Sequence, residues 1–334
     1  MYTSGGKHDS GGCRILVVRL GAMGDIIHAL PAVASLKHSF AGSHLTWVVE
    51  PRWAPLLEEN PFVDRVALLR RETPRSLLES WRELRSARYD FAVDFQGLLK
   101  SALVASASRA ERIFGFHQSQ LRERAAALFY SGKTRSSSAH VVDRNLDLAA
   151  AAGASSRLRA FPLPPGRAEG QLPQGNFVLA SPLAGWRSKQ WPMAYYRELA
   201  RQLQRELGMP LVVNGPAGAT EAFAEIAEAR THFSGLAGLI DVTRRAAAVV
   251  GVDSGPLHLA AALGRPGVAV FGPTDPARNG PYGDSFTVLR SDAAPTSYKR
   301  RNEIDDSMRR VSPSDVFEAL RGTLRRCEST GCLA

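Results

Sequence analysis

The sequence predicts an α/β protein built from two doubly wound domains. Three observations carry this. Short apolar runs alternate with helix-patterned segments from Ile15 onward, the pattern of parallel sheets with helices on both faces. The alternation restarts after FPLPPGRAEGQLP (Phe161 to Pro173), which carries four prolines and two glycines and reads as a linker. The 334 residues also exceed what one core ordinarily organises. The expected division is a flexible tail over 1–13, a first domain over 14–165, a second over 166–311, and a closing helix and tail over 312–334 that packs back on the first domain.

The elements follow in order. ILVVRL is a strand, IIHALPAVASLKHSF a helix and HLTWVVE a strand; SLLESWRELRSA is a helix and YDFAVDFQ a strand. Residues 117–153 read as helical with a polar face. In the second half, NFVLASPLAG is strand plus loop and MAYYRELARQLQREL a helix. MPLVVNGPAG is strand plus Gly-rich turn, and TEAFAEIAEAR a helix. LIDVTRRAAAVVGVDSG runs from helix to strand to turn, PLHLAAALG is a helix, and PGVAVFGPTDP is a strand with its loop. SPSDVFEALRGTLRRC opens with a serine–aspartate N-cap signal and forms the last helix.

Composition narrows the function classes. A hydrophobic content of 44% with 22% charged residues describes a globular protein. No run approaches the roughly 18 apolar residues of a membrane span. The opening MYTSGGKHDSGGCR lacks the apolar centre of a signal peptide, so a cytoplasmic protein is expected. Cys13, Cys327 and Cys332 have no metal-ligand spacing and read as idle thiols. The net charge is +10, and only six of 42 basic residues are lysines. That excess of arginine suits bidentate capture of phosphate and carboxylate. No basic run interleaves with aromatics, so the partner expected is an anionic substrate or membrane surface and not nucleic acid.

Four stretches carry candidate chemistry, each at the carboxyl end of a strand, where such sheets bind ligands and where an interdomain cleft is expected. In RLGAMGD, Gly21 and Gly24 permit a tight turn. Asp25 is either a helix N-terminal carboxylate or a general base. The pair is not G-x-G-x-x-G, and only Glu50 in VVEP stands where a ribose-binding acid would, which argues against a nicotinamide or flavin enzyme. In VDSGPLH, a strand delivers Asp253, Ser254 and Gly255 into a helix start suited to phosphate. His258 there is either core or ligand. In SPLAGWRSKQWP, Gly185, Arg187 and Lys189 leave a strand. Lys189 is either exposed surface or a charge for a diphosphate leaving group. In DFQGLLKS, Gly97 allows a turn and Lys100 is placed to hold an acid. Arg122, Arg124, His140 and Arg144 downstream form either a basic lining or a solvated face.

Together RLGAMGDIIHALPA, DFQGLLKSA, SKQWP, VDSGPLHLAAALGRP and VFGPTDP, in this order over about residues 14–327, resemble the bacterial heptosyltransferases of glycosyltransferase family 9. WVVE, LRERAAALFYSGK and AHVVDR are most similar to the heptosyltransferase I group. The resemblance implies a GT-B fold, two Rossmann-like domains facing a central cleft. It implies inverting transfer of heptose from an ADP-heptose donor to the 3-deoxy-octulosonate sugar of lipid A; the alternative is a sister enzyme acting on a later core heptose or a protein. It implies Asp25 as base and Lys189 on the diphosphate. It places Glu221 on the ribose, Leu236 on adenine through its backbone, and Asp253, Ser254, Gly255 and His258 at the sugar-phosphate end. Ala184 and Gly185 stand where relatives have hydroxyls, leaving backbone amides as donor contacts. Gly24, Lys100, Arg122, His140 and Arg144 fall to the acceptor side. No metal or other cofactor is required by the resemblance. The expected partners are the ADP-sugar, an anionic lipid A-type acceptor, and the cytoplasmic face of the inner membrane, with the protein a peripheral monomer. Some relatives carry cysteines near PTSYKRR (Pro295 to Arg301), and this chain has none there.

Overall fold

The computed structural model describes residues 12–330, with side chains to 326. The tail expected over 1–13 therefore lies outside the described residues up to position 11, as do the Cys327 side chain and Cys332. Cys13 already belongs to the fold: its carbonyl accepts from His44 N at 2.8 Å.

The first compact unit is built on β1 (Arg14–Val18), α1 (Met23–Ser39), β2 (His44–Val49), β3 (Arg65–Leu68), α2 (Pro74–Arg85), β4 (Phe91–Asp94), α3 (Leu99–Ala107), β5 (Arg112–Phe116), β6 (Gly132–Thr134) and α4 (Val141–Ala151). Its sheet is parallel, in the order β3-β2-β1-β4-β5-β6. β1 and β4 are almost wholly buried, which explains their unbroken apolar runs. The Pro31 in α1 leaves the helix intact through Ser39.

The second unit comprises β7 (Val178–Ala180), α5 (Met193–Leu207), β8 (Leu211–Gly215), α6 (Thr220–Phe223), β9 (Arg230–Phe233), α7 (Leu236–Arg245), β10 (Ala248–Val252), α8 (Gly255–Ala262), β11 (Gly267–Phe271), α9 (Pro276–Asn279), β12 (Phe286–Arg290), α10 (Asp306–Arg309) and α11 (Pro313–Thr330). Its parallel sheet runs β12-β11-β10-β7-β8-β9. By their contacts the short segments Ala22–His28 and Ala139–Val141 group with this unit, and the chain passes between units at Pro162 and Leu163. The doubly wound α/β class predicted from the alternation is the observed one.

Three expectations are corrected and one is refined. Residues 117–153 are not one helical region: they form 3₁₀ turns at Gln118–Gln120 and Arg124–Phe129, strand β6, and only then α4. Tyr130 is the reason, because its hydroxyl donates to the buried Asp94 at 2.7 Å and pins this stretch against the sheet. TEAFAEIAEAR is helical only over Thr220–Phe223. Ile226 N and Ala229 N instead close tight turns on Phe223 O and Ile226 O, burying both Phe223 and Ile226. The Pro-rich segment does carry the passage between the units, at Pro162 and Leu163, but its later part is tied to the second unit. Glu169 accepts from Gly235 N and Gly238 N at 2.6 and 3.1 Å, capping α7, and Arg167 N donates to Ala237 O at 3.0 Å. Finally, α11 places Val316, Phe317, Leu320 and Leu324 in the second unit's own core with Trp191 and Tyr196, so the expectation that it packs back on the first domain is overturned.

Candidate active site

Each sheet reverses its strand order at one point, and the four stretches singled out above lie at these two points. In the first unit the switch falls between β1 and β4, which pair side by side over Ile15–Val18 and Phe91–Asp94. In the second it falls between β7 and β10, paired over Val178–Ala180 and Ala248–Val250. Loops leaving adjacent parallel strands on opposite sides leave a crevice at that place. This pairing is why Lys189 and Asp253, 64 residues apart, meet: Lys189 Nζ donates to Asp253 Oδ2 at 2.6 Å.

The pair is inside the protein. Lys189 keeps 16% of its side-chain exposure and Asp253 6%. His258 Nε2 stands 3.5 Å from the other carboxylate oxygen, and His258 is itself buried. Burial pushes the Asp253 carboxyl up, but the His258 contact and the Lys189 charge outweigh it and hold the group well below the ordinary carboxylate range. Asp253 is therefore an anion that orients a lysine and a histidine. The loop carrying Lys189 is anchored by Trp191, fully buried, whose indole N–H donates to Val311 O at 2.9 Å. Lys189 Nζ also lies 4.3 Å from the centre of the Trp186 ring.

Two polar atoms at the start of α8 have no hydrogen-bond partner among the described residues: Ser254 Oγ and His258 Nδ1. Buried polar atoms ordinarily find partners, so unpaired ones at a helix N-terminus mark a place prepared for a ligand. Segment 22–28 packs against the same helix start. A Cβ on Gly24 would stand 2.5 Å from His258 Cδ2, and one on Gly255 2.7 Å from Met23 Sδ. Both glycines are there because backbone must come this close. Asp25, next in the chain, is half-buried and its Oδ2 accepts from Ala22 N at 3.2 Å, closing the first turn of α1. His28, one turn on, stacks edge-on to His258 at 4.3 Å and to His140 at 5.8 Å. The sequence reading passed over His28, although its place one turn after Asp25 was a usable signal.

The remaining expected residues distribute as follows. Ala184 is half-buried and Gly185 exposed, and a side chain at Gly185 would meet nothing within 4 Å. Glu221 is exposed on the short α6. Leu236 opens α7 and is half-buried beside the Glu169 cap. His140 groups with the second unit, its Nε2 donating to Gly280 O at 3.0 Å and its ring 5.0 Å from Tyr282. Lys100, Arg122 and Arg144 belong to the first unit. Lys100 lies 3.7 Å from Glu50, Arg122 is exposed, and Arg144 sits over Phe116 at 5.5 Å. Glu50 proves to be a hub: Arg71, Arg52 and Lys100 all converge on it, beside a pocket of about 470 Å³ lined by Glu50, Pro51, Arg52, Arg71 and Glu72. Its sequence signal was an acid at the end of a buried strand, read there only against a ribose role. Asp94, fully buried, accepts from Gln96 N, Gly97 N, Ser101 Oγ and Tyr130 OH and organises the turn before α3. Among the described residues no group of three or more His, Cys, Asp or Glu is arranged to hold a metal ion.

Residues 77–308 match the family model for glycosyltransferase family 9 (heptosyltransferase). The chain belongs to this family. A lipopolysaccharide heptosyltransferase 1 of Pseudomonas aeruginosa is 32% identical over 304 residues, covering 84% of each chain. One of Escherichia coli is 30% identical over 306 residues, covering 83% of this chain and 93% of its own. Among solved structures, the E. coli heptosyltransferase WaaC with ADP matches with a TM-score of 0.75 and 26% identity over 93% of this chain and 99% of its own. The same enzyme with ADP-2-deoxy-2-fluoro heptose matches at 0.73 and 25%. The two parallel six-stranded sheets are thus a GT-B arrangement, and the protein is a glycosyltransferase of the lipopolysaccharide heptosyltransferase kind. No helix among the described residues is long and apolar enough to cross a membrane.

Proposed function

We propose that the protein transfers heptose from ADP-heptose to the octulosonate sugar of lipid A, with inversion at the anomeric carbon. The observation that carries this is the array at the carboxyl end of β10. There the buried Lys189–Asp253–His258 set and the unpaired Ser254 Oγ meet the segment that holds Asp25. The acceptor hydroxyl attacks the anomeric carbon as the bond to the diphosphate oxygen breaks. Asp25 takes the hydroxyl proton, and the electron pair leaves on ADP. Lys189, with the free amides at the start of α8, stabilises the charge growing on the leaving group. Asp253 works through Lys189 and His258 as their positioning residue, and His258 Nδ1 and Ser254 Oγ bind the sugar-phosphate end. Glu221 and the Leu236 backbone hold the nucleoside. Gly24, Lys100, Arg122, His140 and Arg144 serve an anionic acceptor. The basic first unit brings the monomer to the cytoplasmic face of the inner membrane.

The test separates chemistry from binding. Asn at position 25 still accepts from Ala22 N but cannot take a proton. Asp25→Asn is expected to bind ADP as the wild type does and to lose about 10² to 10⁴ in transfer rate. Full transfer activity in this variant would remove Asp25 as the base.

A further inference from the structure

Lys189 does not bring net charge to a diphosphate. Its ammonium is matched by Asp253 at 2.6 Å, so the pair sums to zero. A multiply charged leaving group needs further cations, and the structure places one. Residues 290–301 form a strap tied down along its length. Arg290 Nε donates to Gly272 O at 3.0 Å, and Ser297 N donates to Pro273 O at 2.6 Å. Tyr298 stacks on Arg278 at 5.1 Å. On the far side Arg301 lies 3.7 Å from Asp305, whose N–H donates to Ser188 O at 3.4 Å, next to Lys189.

Arg300 sits between these two anchors. Its guanidinium lies 5.4 Å from the centre of the same Trp186 ring that Lys189 Nζ approaches at 4.3 Å. Two like charges share one indole, and Arg300 has no hydrogen-bond or ion-pair partner among the described residues. Lys189 is already neutralised by Asp253, so Arg300 is the uncompensated charge beside this ring, and an anionic ligand there would match it. The buried His258 Nδ1 and Ser254 Oγ, which have no partner either, lie beside Asp253 in the same set and independently mark a ligand there.

We propose that Arg300, presented by the 290–301 strap and stacked on Trp186, is a second cation for the diphosphate of the nucleotide donor and supplies the net positive charge that Lys189 cannot. This rests on the ADP-sugar reading above. A guanidinium offers paired donors to phosphate oxygens, and stacking on the indole orders it before binding. Asp253 fixes the position of Lys189, while Arg300, exposed at the surface, closes on the phosphates from the strap side.

Calorimetric titration of wild type, Arg300→Ala and Arg300→Lys with ADP, AMP and adenosine tests this. Arg300→Ala is expected to weaken ADP about tenfold, the worth of one charge-assisted contact. AMP should weaken less and adenosine not at all, and Arg300→Lys should recover most of the ADP affinity. Equal ADP affinity in Arg300→Ala and wild type would overturn the proposal while leaving the ADP reading intact. So would a loss of the same factor for adenosine, which would mean a structural role. Wild-type protein that binds no ADP would overturn both.

Discussion

Removing Lys189 is the most informative perturbation of the site, because the structure sets both its size and its rescue. At 2.6 Å the Lys189–Asp253 attraction is about 6 kcal/mol for an effective dielectric of about 20. Desolvation of two nearly buried groups takes back most of it, so the pair adds little net stability. Losing one partner is another matter, since a buried charge is left behind at a cost of about 3 to 5 kcal/mol. His258, 3.5 Å from Asp253, softens the loss, and about 3 kcal/mol is expected for Lys189→Met. For a unit of this size that lowers the thermal midpoint by roughly 6–12 °C. Asp253→Leu strands the lysine and should cost about as much. The double variant should cost no more than either single one, a coupling of about 3 kcal/mol. Calorimetric melting of the four proteins measures this. The sign with pH follows from the depressed Asp253 carboxyl. Its contribution is fully present above the unfolded value of about 4 and is lost as pH falls toward the lower folded value. The gap between wild type and Lys189→Met should therefore be widest above about pH 5 and shrink in acid. Additive single costs, or a gap that does not change in acid, would refute the buried-pair account.

Other outcomes follow from the same structure. Tyr130→Phe removes one of four donors to the buried Asp94 and should cost about 1 to 3 kcal/mol in urea unfolding; a change within error would show that Asp94 does not depend on it. Burial, then the nearby Asp90, pushes the Cys13 thiol up to about 11. In a Cys327→Ser/Cys332→Ser background Cys13 should thus react with maleimide at pH 8 roughly a hundredfold or more below an exposed thiol, and labelling at an ordinary rate would contradict this. Binding to anionic liposomes should fall steeply with salt, as expected for a chain of net charge +10; sedimentation that ignores ionic strength would count against the peripheral membrane contact.

The sequence disclosed the frame of the site better than its interior. RLGAMGD, DFQGLLK, SPLAGWRSK and VDSGPLH were legible because each follows an apolar strand, and in a doubly wound sheet that alone puts them at a ligand-binding edge. What they do to one another was not legible. Nothing local says that Lys189 is neutralised by Asp253; that follows from β7 lying beside β10. Nor does a sequence pattern show that Glu50 gathers Arg52, Arg71 and Lys100. The misread elements fail for a common reason. TEAFAEIAEAR favours a helix residue by residue, yet Phe223 and Ile226 are both drawn into the core through tight turns. Tertiary burial overrides propensity there, as the Tyr130–Asp94 bond does before α4.

Mass spectrometry of the acceptor addresses the transfer itself most directly. Purified protein incubated with ADP-heptose and octulosonate-lipid A is expected to convert the lipid to a species heavier by one heptose, with ADP released in equal amount. An unchanged lipid, or ADP released with no sugar on the lipid, would contradict it.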